Sequence, residues 1–342
     1  MPVHNQFYAV IMAGGRGERF WPLSTIDRPK QFIKLFGGIT LLEQAVKRLD
    51  GLLPARNIFI ITTRALEDVT ARAVPGVPRS NIVGEPMGRD TAAAVALGTA
   101  LVRARDPNAT FCVLAADHLI GPRRAFHRAL RDGLAMARRT GALVTIGINP
   151  SFPSTGFGYI AAGVKFQGTG RARYYHVRKF VEKPDIATAR HYLRAGTYFW
   201  NSGMFLWSVR AIEAAIREHR PQLAPLLDRL AICKPGTRSF MSGLSREYKR
   251  LDRISIDYAV MEHARNIIVM PATFEWDDVG SWTSLANHFN PDAGGNIILG
   301  RGVIRDTRNA LVVSDGPLTA LLGVKDVIVV STGNATLVCA RD

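Results

Sequence analysis

An apolar run, Phe7-Tyr8-Ala9-Val10-Ile11-Met12-Ala13, passes directly into Gly14-Gly15-Arg16-Gly17-Glu18-Arg19-Phe20-Trp21-Pro22. Seven apolar residues closed by glycines form a buried strand, far short of the ~20 residues that cross a membrane, and the glycines stop it where a signal-peptide core would continue. From here to about residue 150, short apolar runs at 7–13, 57–62, 81–83, 110–116 and 142–148 alternate with helix-patterned stretches at 40–50, 64–73, 91–105 and 124–140. Such alternation predicts an α/β fold, a parallel sheet with helices on both faces. Ligands of these sheets sit beyond the C-terminal ends of strands. The loop after residue 13 and the segment after 116 are both placed there.

Glycine lets backbone N–H groups approach an anion, and arginine adds charge-assisted hydrogen bonds to phosphate oxygens. The loop is neither a P-loop, which needs Lys-Ser or Lys-Thr after its second glycine, nor a G-x-G-x-x-G fingerprint, whose third glycine falls at Phe20. Phosphate binding and an ordinary glycine-rich turn both remain open on this loop alone.

Beyond residue 150 the pattern is mixed, with hairpin-like strands near 157–164 and 173–181, a helix near 185–196, a strand near 203–209 and helices to about 263. After Pro291 come six short strand-like pieces, Asn296–Leu299, Gly302–Arg305, Ala310–Ser314, Leu318–Leu322, Val327–Ser331 and Thr336–Cys339. They predict a small C-terminal β domain over 291–342 behind a main domain over 1–290. Their spacing is too irregular to read as a hexapeptide β-helix. The 44 Lys and Arg exceed 28 Asp and Glu, a formal charge of +16 that attracts polyphosphates. Basic residues are dispersed through segments such as 123–139, and no RNA-binding signature is present, so a solvated basic surface is expected and no nucleic-acid partner. Cys112, Cys233 and Cys339 are isolated thiols without metal-finger spacing, as in a reducing compartment. A cytoplasmic protein without a membrane segment is expected.

Five further segments place polar groups where a core does not need them. Phe111 to His118 reads as a buried strand ending at Asp117, either a turn or cap residue or a Mg²⁺ ligand, since Mg²⁺ takes one or two carboxylates plus phosphate oxygens. In Glu275-Trp276-Asp277-Asp278-Val279-Gly280-Ser281-Trp282 the adjacent aspartates repel unless a cation or donors intervene. One of them is a second candidate ligand, and a solvated acidic turn is the alternative. Phe180-Val181-Glu182-Lys183-Pro184 ends a strand in an acid and a base, and Lys183 is either solvated or a point-charge contact for a monoester phosphate. Trp200-Asn201-Ser202-Gly203 puts an amide and a hydroxyl before an apolar strand, either a plain turn or a contact for sugar hydroxyls. Gly84-Glu85-Pro86-Met87-Gly88-Arg89-Asp90-Thr91 opens a helix, where Asp90 or Thr91 need do no more than cap it, and Glu85 can accept from the two N–H donor positions of guanine. No nucleophilic triad or covalent cysteine pattern competes. Phosphates, Mg²⁺ and sugar contacts without a side-chain nucleophile fit a sugar phosphate attacking a nucleoside triphosphate, with catalysis by positioning and charge neutralisation.

Together, "AGGRGERFWPLS", "RPKQF", "EPMGRDTAAA", "LAADH", "FVEKP", "WNSGMF", "WDDVGSW" and "SIDYAVME" resemble, in order and from about residue 7 to the chain end, the sugar-nucleotidyltransferases, specifically the mannose-1-phosphate guanylyltransferases. The resemblance implies a Rossmann-like mixed, mainly parallel sheet. It implies the reaction of GTP with mannose 1-phosphate to give GDP-mannose and pyrophosphate. By position, Gly14, Gly15, Arg19 and Lys30 would hold the triphosphate, Glu85 would read guanine, Gly88 would also bind the nucleotide, and Asp117 and Asp278 would hold the Mg²⁺. Asp278 is chosen over its neighbour because the family's metal carboxylate lies two residues before the glycine matched by Gly280. Glu182 and Asn201 would bind the sugar, Lys183 its phosphate, and Gly158 would offer a backbone contact. A homodimer is expected by the same resemblance, and a single function, because the isomerase domain of many bacterial relatives is not part of this sequence. One departure stands out: the family usually has Arg-Asn-Thr-Ala-Pro where this chain has Arg89-Asp90-Thr91-Ala92-Ala93. Another sugar 1-phosphate as substrate, or a silent regulatory paralogue, are the alternatives. The second should have lost Arg19, Lys30, Asp117 or Asp278, and all four are present.

Overall fold

The computed structural model describes residues 7–15, 17–168 and 172–341. The strands β1 (Phe7–Met12), β2 (Ile58–Thr63), β3 (Ile82–Glu85) and β4 (Thr110–Ala115) are the short, almost wholly buried runs of the first half. After the three-residue β5 (Leu119–Gly121) come β6 (Leu143–Ile148), β7 (Tyr159–Phe166), β8 (Tyr174–Val181), β9 (Tyr198–Ser208) and β10 (Ile267–Pro271). The short β11 (Glu275–Asp277) precedes β12 (Ile297–Arg305), β13 (Leu311–Leu322), β14 (Val327–Thr332) and β15 (Thr336–Ala340). Among the described residues no helix is long and apolar enough to cross a membrane.

The chain divides into two compact units. The first takes residues up to Gly14, Ala45–Ala116 and Ile120–Trp276; the second takes Gly15–Gln44, Asp117–Leu119 and the residues from Asp277 onward.

In the first unit nine strands form one sheet in the order β3-β2-β1-β4-β9-β6-β10-β8-β7. β1 pairs in parallel with β2 and β4, β2 with β3, and β6 with β10. β9 runs against β4, β6 and β7, and β8 against β10 and β7. Two strands therefore oppose the direction of the rest, and the sheet is mixed and mainly parallel, as the sequence pattern predicts. Alternation along β9 puts Phe205 and Trp207 into the core that holds the helix Asp90–Arg105, while Leu206 meets Gly133 of the helix Arg123–Thr140. Side chains one residue apart point to opposite faces, so helices cover both. The alanine-rich helix Asp90–Arg105 is buried nearly throughout, because the helices Val209–His219 and Ala224–Ala231 lie against it as well.

The sequence reading places Asn201 and Ser202 ahead of a strand beginning near 203, and the structure corrects this. Both lie inside the eleven-residue β9, where a register shift against β6 and a positive φ of 67° at Gly203 break the ladder. Polar residues and a glycine disguise a strand when it carries a bulge.

In the second unit β12 and β13 pair in parallel, as do β13 and β14, and β14 and β15 are antiparallel. The six pieces read from sequence merge into four strands, the first passing through a register shift at Gly300/Gly302. Ile297, Leu311, Ile328 and Val330 share a core with Phe20, Leu23, Ile33, Val279 and Trp282. The loops bearing Arg19, Lys30 and Asp278 are thus fastened to the C-terminal strands.

A Cβ placed on Gly98 would stand 2.6 Å from Val10 Cγ1. Gly98→Ala is expected to lower stability by about 1–3 kcal/mol despite the better helix propensity of alanine. Adding Val10→Ala should recover part of the loss, so that urea unfolding of the double variant shows less destabilisation than the two singles summed.

Candidate active site

Four of the sequence-derived residues converge in the second unit. Gly17 adopts φ 65°, and a Cβ on it would overlap the Cβ of Lys30. Only glycine lets the loop close over that segment. Glu18–Phe20 then makes one 3₁₀ turn that buries Phe20 and leaves Arg19 exposed. Lys30 opens a second 3₁₀ turn, Lys30–Phe32, with its side chain 8% exposed. Its ammonium donates to Asp117 Oδ2 at 2.8 Å and to the backbone carbonyl of Asp278, and lies 5.6 Å from the centre of the Phe20 ring. Ammonium carries three donors, so one remains for a further oxygen.

The two aspartates differ electrostatically. Burial raises the Asp117 carboxyl, but the charges of Lys30 and His118 and the Lys30 hydrogen bond outweigh it, and the net effect lowers it below the ordinary carboxylate value. Asp278 is raised, by burial first and by the charges of Asp277 and Asp117, against the opposing pull of Lys30 and Arg19. Asp277 is otherwise engaged: it accepts from the Val279 amide at 2.6 Å and lies 2.8 Å from His288 Nε2. Asp278 Oδ2 and Arg19 Nη1 instead both stand close to the Cα of Gly280, 3.0 and 3.2 Å from where a Cβ would be. Val279, buried and β-branched, holds φ 47°, a strained conformation that keeps the loop in this shape.

This donor set suits Mg²⁺. The oxygens are hard, and the side chain of Asp117 is 34% exposed. Mg²⁺ is held by one or two carboxylates with substrate phosphates and water completing its shell.

The first unit carries the remaining candidates. Glu85 ends β3, buried, with Tyr248 Oη donating to its Oε1 at 3.1 Å. A Cβ on Gly14 would stand 3.2 Å from its Oε2. Burial pushes the Glu85 carboxyl up to about 7, against the Tyr248 bond and with the Asp90 charge adding to the rise. Gly88 is exposed, two residues before Asp90. Asp90 has φ 65° and accepts from the Thr91 amide at 2.7 Å. Around it, Arg89 donates to the Tyr248 carbonyl at 3.0 Å and Thr91 Oγ1 accepts from the Ile256 amide at 2.8 Å. The 89–91 segment is thus stitched to the chain between Tyr248 and Asp257.

Asn201 donates its backbone N–H to the Gly158 carbonyl at 2.8 Å and its Nδ2 to Asp257 Oδ1 at 2.6 Å. A Cβ on Gly158 would overlap Glu182 Oε2. Beside Gly158, Phe157 packs against Trp200 and Trp276 with ring centres 4.9 and 5.4 Å apart. Lys183 follows at φ 45°, 63% exposed and 3.4 Å from Glu182 Oε1. The structure therefore brings Gly158, Glu182 and Asn201 together with Lys183 at their rim. It adds two residues the sequence reading did not select, Tyr248 and Asp257. Burial and the neighbouring Glu182 push Asp257 up to about 6, against the Asn201 bond. Asp257 lies in the motif "SIDYAVME", an acid within the apolar stretch Ile256 to Met261, and Asp257–Met261 turns as a π-helix. For Tyr248 the sequence holds no signal, since its partner is on a distant strand.

The mainly parallel sheet of the first unit, with a glycine-rich segment following β1, and the C-terminal β strands are those of a nucleotidyltransferase. The nucleotidyl transferase family model matches residues 8–293, and the model of the MannoseP isomerase/GMP-like beta-helix domain matches residues 300–342. The chain belongs to the nucleotidyl transferase family. It is 35% identical to the mannose-1-phosphate guanylyltransferase of Escherichia coli (strain K12), over 99% of this chain and 71% of that one. To the mannose-1-phosphate guanylyltransferase of Klebsiella pneumoniae it is 36% identical, over 97% and 70%. Among solved structures it is similar to a mannose-1-phosphate geranyltransferase from Thermus thermophilus, with a TM-score of 0.87 and 39% identity over 98% of this chain and 96% of that one.

Because the folded state holds Glu85 neutral up to about 7, against 4.5 for a free glutamate, it binds this proton more tightly than the unfolded chain does. The stability present below pH 4.5 is then lost as pH rises through 7. Unfolding free energies by denaturant at pH 5 and pH 8 should fall by about 2–3 kcal/mol more in the native chain than in Glu85→Gln. Equal slopes would contradict the burial of an ionisable carboxyl there.

Proposed function

We propose that this chain transfers GMP from GTP to mannose 1-phosphate, releasing pyrophosphate. The observation that carries the reading is the Lys30 bridge from Asp117 to the Asp278 carbonyl beside the glycine-rich loop, in a chain whose relatives of near-full coverage are named mannose-1-phosphate guanylyltransferases. A phosphate oxygen of the sugar phosphate forms a bond to the α-phosphorus of GTP, the bond from that phosphorus to the bridging oxygen breaks, and pyrophosphate leaves with that oxygen. The attacking phosphate is already ionised, so the protein need supply no base. Its work is alignment and charge neutralisation.

In this reading the amides of Gly14 and Gly15 and the Arg19 guanidinium hold the triphosphate, and the third donor of Lys30 takes one of its oxygens. Glu85, as carboxylate, accepts from the N1 and N2 donors of guanine, with Gly88 leaving room at the base end. Glu182 and Asn201 take the sugar hydroxyls, Gly158 offers its backbone, and Lys183 contacts the sugar phosphate. Asp257 fixes the Asn201 amide. Asp117 and Asp278 would hold Mg²⁺, which supplies positive charge to the phosphate oxygens. All these groups lie within residues 1–290, the segment we assign to catalysis, and residues 291–342 contribute none of them. The latter expose Val303, Leu318, Leu322 and Val338, apolar area that supports assembly as a homodimer.

Pyrophosphate release should be confined to GTP with mannose 1-phosphate when GTP, ATP, UTP and dTTP are tested against mannose 1-phosphate and glucose 1-phosphate with Mg²⁺. Turnover with another pair would reassign the substrates. Asp117→Asn and Asp278→Asn should each lower kcat by about 10²-fold or more with unchanged circular dichroism. Asp90→Asn removes a negative charge that acts on Glu85 and is expected to lower the KM for GTP about threefold.

A further inference from the structure

A groove of about 590 Å³ opens on the first unit beside the helices Ala224–Ala231 and Arg238–Lys249. It is lined by Arg229, Arg246, Ser239, Ser242 and Cys233 together with Asp228, and none of these enters the chemistry above. Its volume falls within the range of small-molecule sites.

The charge arrangement there is specific. Glu247, its side chain 4% exposed, accepts on Oε1 from Arg246 Nε at 3.2 Å and is ion-paired through the same oxygen with Arg229 Nε, 2.9 Å away; its Oε2 lies 3.8 Å from Arg250. A buried carboxylate thus pins two guanidinium groups side by side through their Nε atoms. Their terminal N–H groups have no hydrogen-bond partner among the described residues. Arg229 can lie across the second helix because Gly243 has no side chain, and a Cβ there would stand 3.0 Å from Arg229 Cδ. The other acid at the groove, Asp228, is already engaged by Arg217 and Arg103. Three arginines share Glu247, so two positive charges are uncompensated.

We propose that this groove binds the phosphate group of a small phosphorylated ligand or free phosphate, through the paired terminal N–H groups of Arg229 and Arg246. Guanidinium forks match tetrahedral oxyanions, and a pair already held in place loses little freedom on binding. Ser239 and Ser242 lie in the first turns of the helix Arg238–Lys249, whose N-terminal end favours an anion. Their present partners are local, Cys233 Sγ at 3.4 Å and the Ser239 carbonyl at 3.1 Å, and an incoming oxygen can replace them.

Cys233, half-buried in the groove, provides a site-specific readout. The full chain is alkylated with iodoacetamide while inorganic phosphate is titrated, potassium chloride holding ionic strength constant, and each cysteine peptide is quantified by mass spectrometry. Phosphate should slow alkylation of Cys233 saturably and leave the exposed Cys339 unaffected. Arg229→Gln and Arg246→Gln, tested separately, should each weaken that protection at least about tenfold while pyrophosphate release in phosphate-free buffer stays at the native rate. A parallel titration with glucose 6-phosphate names the source: stronger protection by the ester points to a phosphorylated metabolite, stronger protection by inorganic phosphate to the free ion. Absence of saturable protection in the native chain, or equal protection in both variants, would overturn the proposal.

Discussion

The second unit depends on one buried ammonium. Lys30 joins the strand-end aspartate Asp117 to the loop at Asp278, and these three segments are far apart in the sequence. A charge withdrawn from water is costly unless it is both paired and hydrogen-bonded, so Lys30 can be buried only where Asp117 and the Asp278 carbonyl are both in place. Lys30 meets Asp117 through its carboxylate and Asp278 through its backbone carbonyl, and its charge acts on both carboxyl groups.

Strain and packing then hold that arrangement. Gly17 permits the loop to lie directly on Lys30, and Val279, at positive φ and fully covered, is kept there by the core it shares with Phe20, Trp282 and the C-terminal strands. The parallel coil of β12 to β14 therefore does more than end the chain. It supplies the apolar surface against which the loops bearing Arg19 and Asp278 are fixed.

The first unit uses a different device. Glu85 and Asp257 are carboxyl groups in places where burial favours the neutral form, each given one donor, Tyr248 or Asn201, that partly restores the charged form. Acids poised near neutrality are suited to ligand recognition because small changes in surroundings shift their charge. Asp90 acts on both, and its segment is tied by hydrogen bonds to the backbone leading from Tyr248 to Asp257. Asp90, an acid where the motif this chain resembles has an amide, is thus placed to influence two acids together.

Several of these features follow from local sequence alone. The strand positions of the first half, the sheet with helices on both faces, and the likeness to nucleotidyl transferases are legible because apolar periodicity and short polar motifs at strand ends are local properties. Asp117 can be selected from its residue type at a strand end, and Lys30 from the resemblance of the motif "RPKQF". What local pattern cannot contain is the pairing of distant groups. The choice of Asp278 rests on a family resemblance; that Asp277 meets His288 is visible only in the fold. Asn201 reads as a turn residue because a bulged strand has lost its alternation. Tyr248 carries no mark at all, since a tyrosine on an apolar helix face reads as core until the strand bearing Glu85 is set against it. Composition and periodicity determined the layers of this protein. Only the tertiary structure decided which charges meet, because desolvation and hydrogen bonding act through space between residues that the chain keeps far apart.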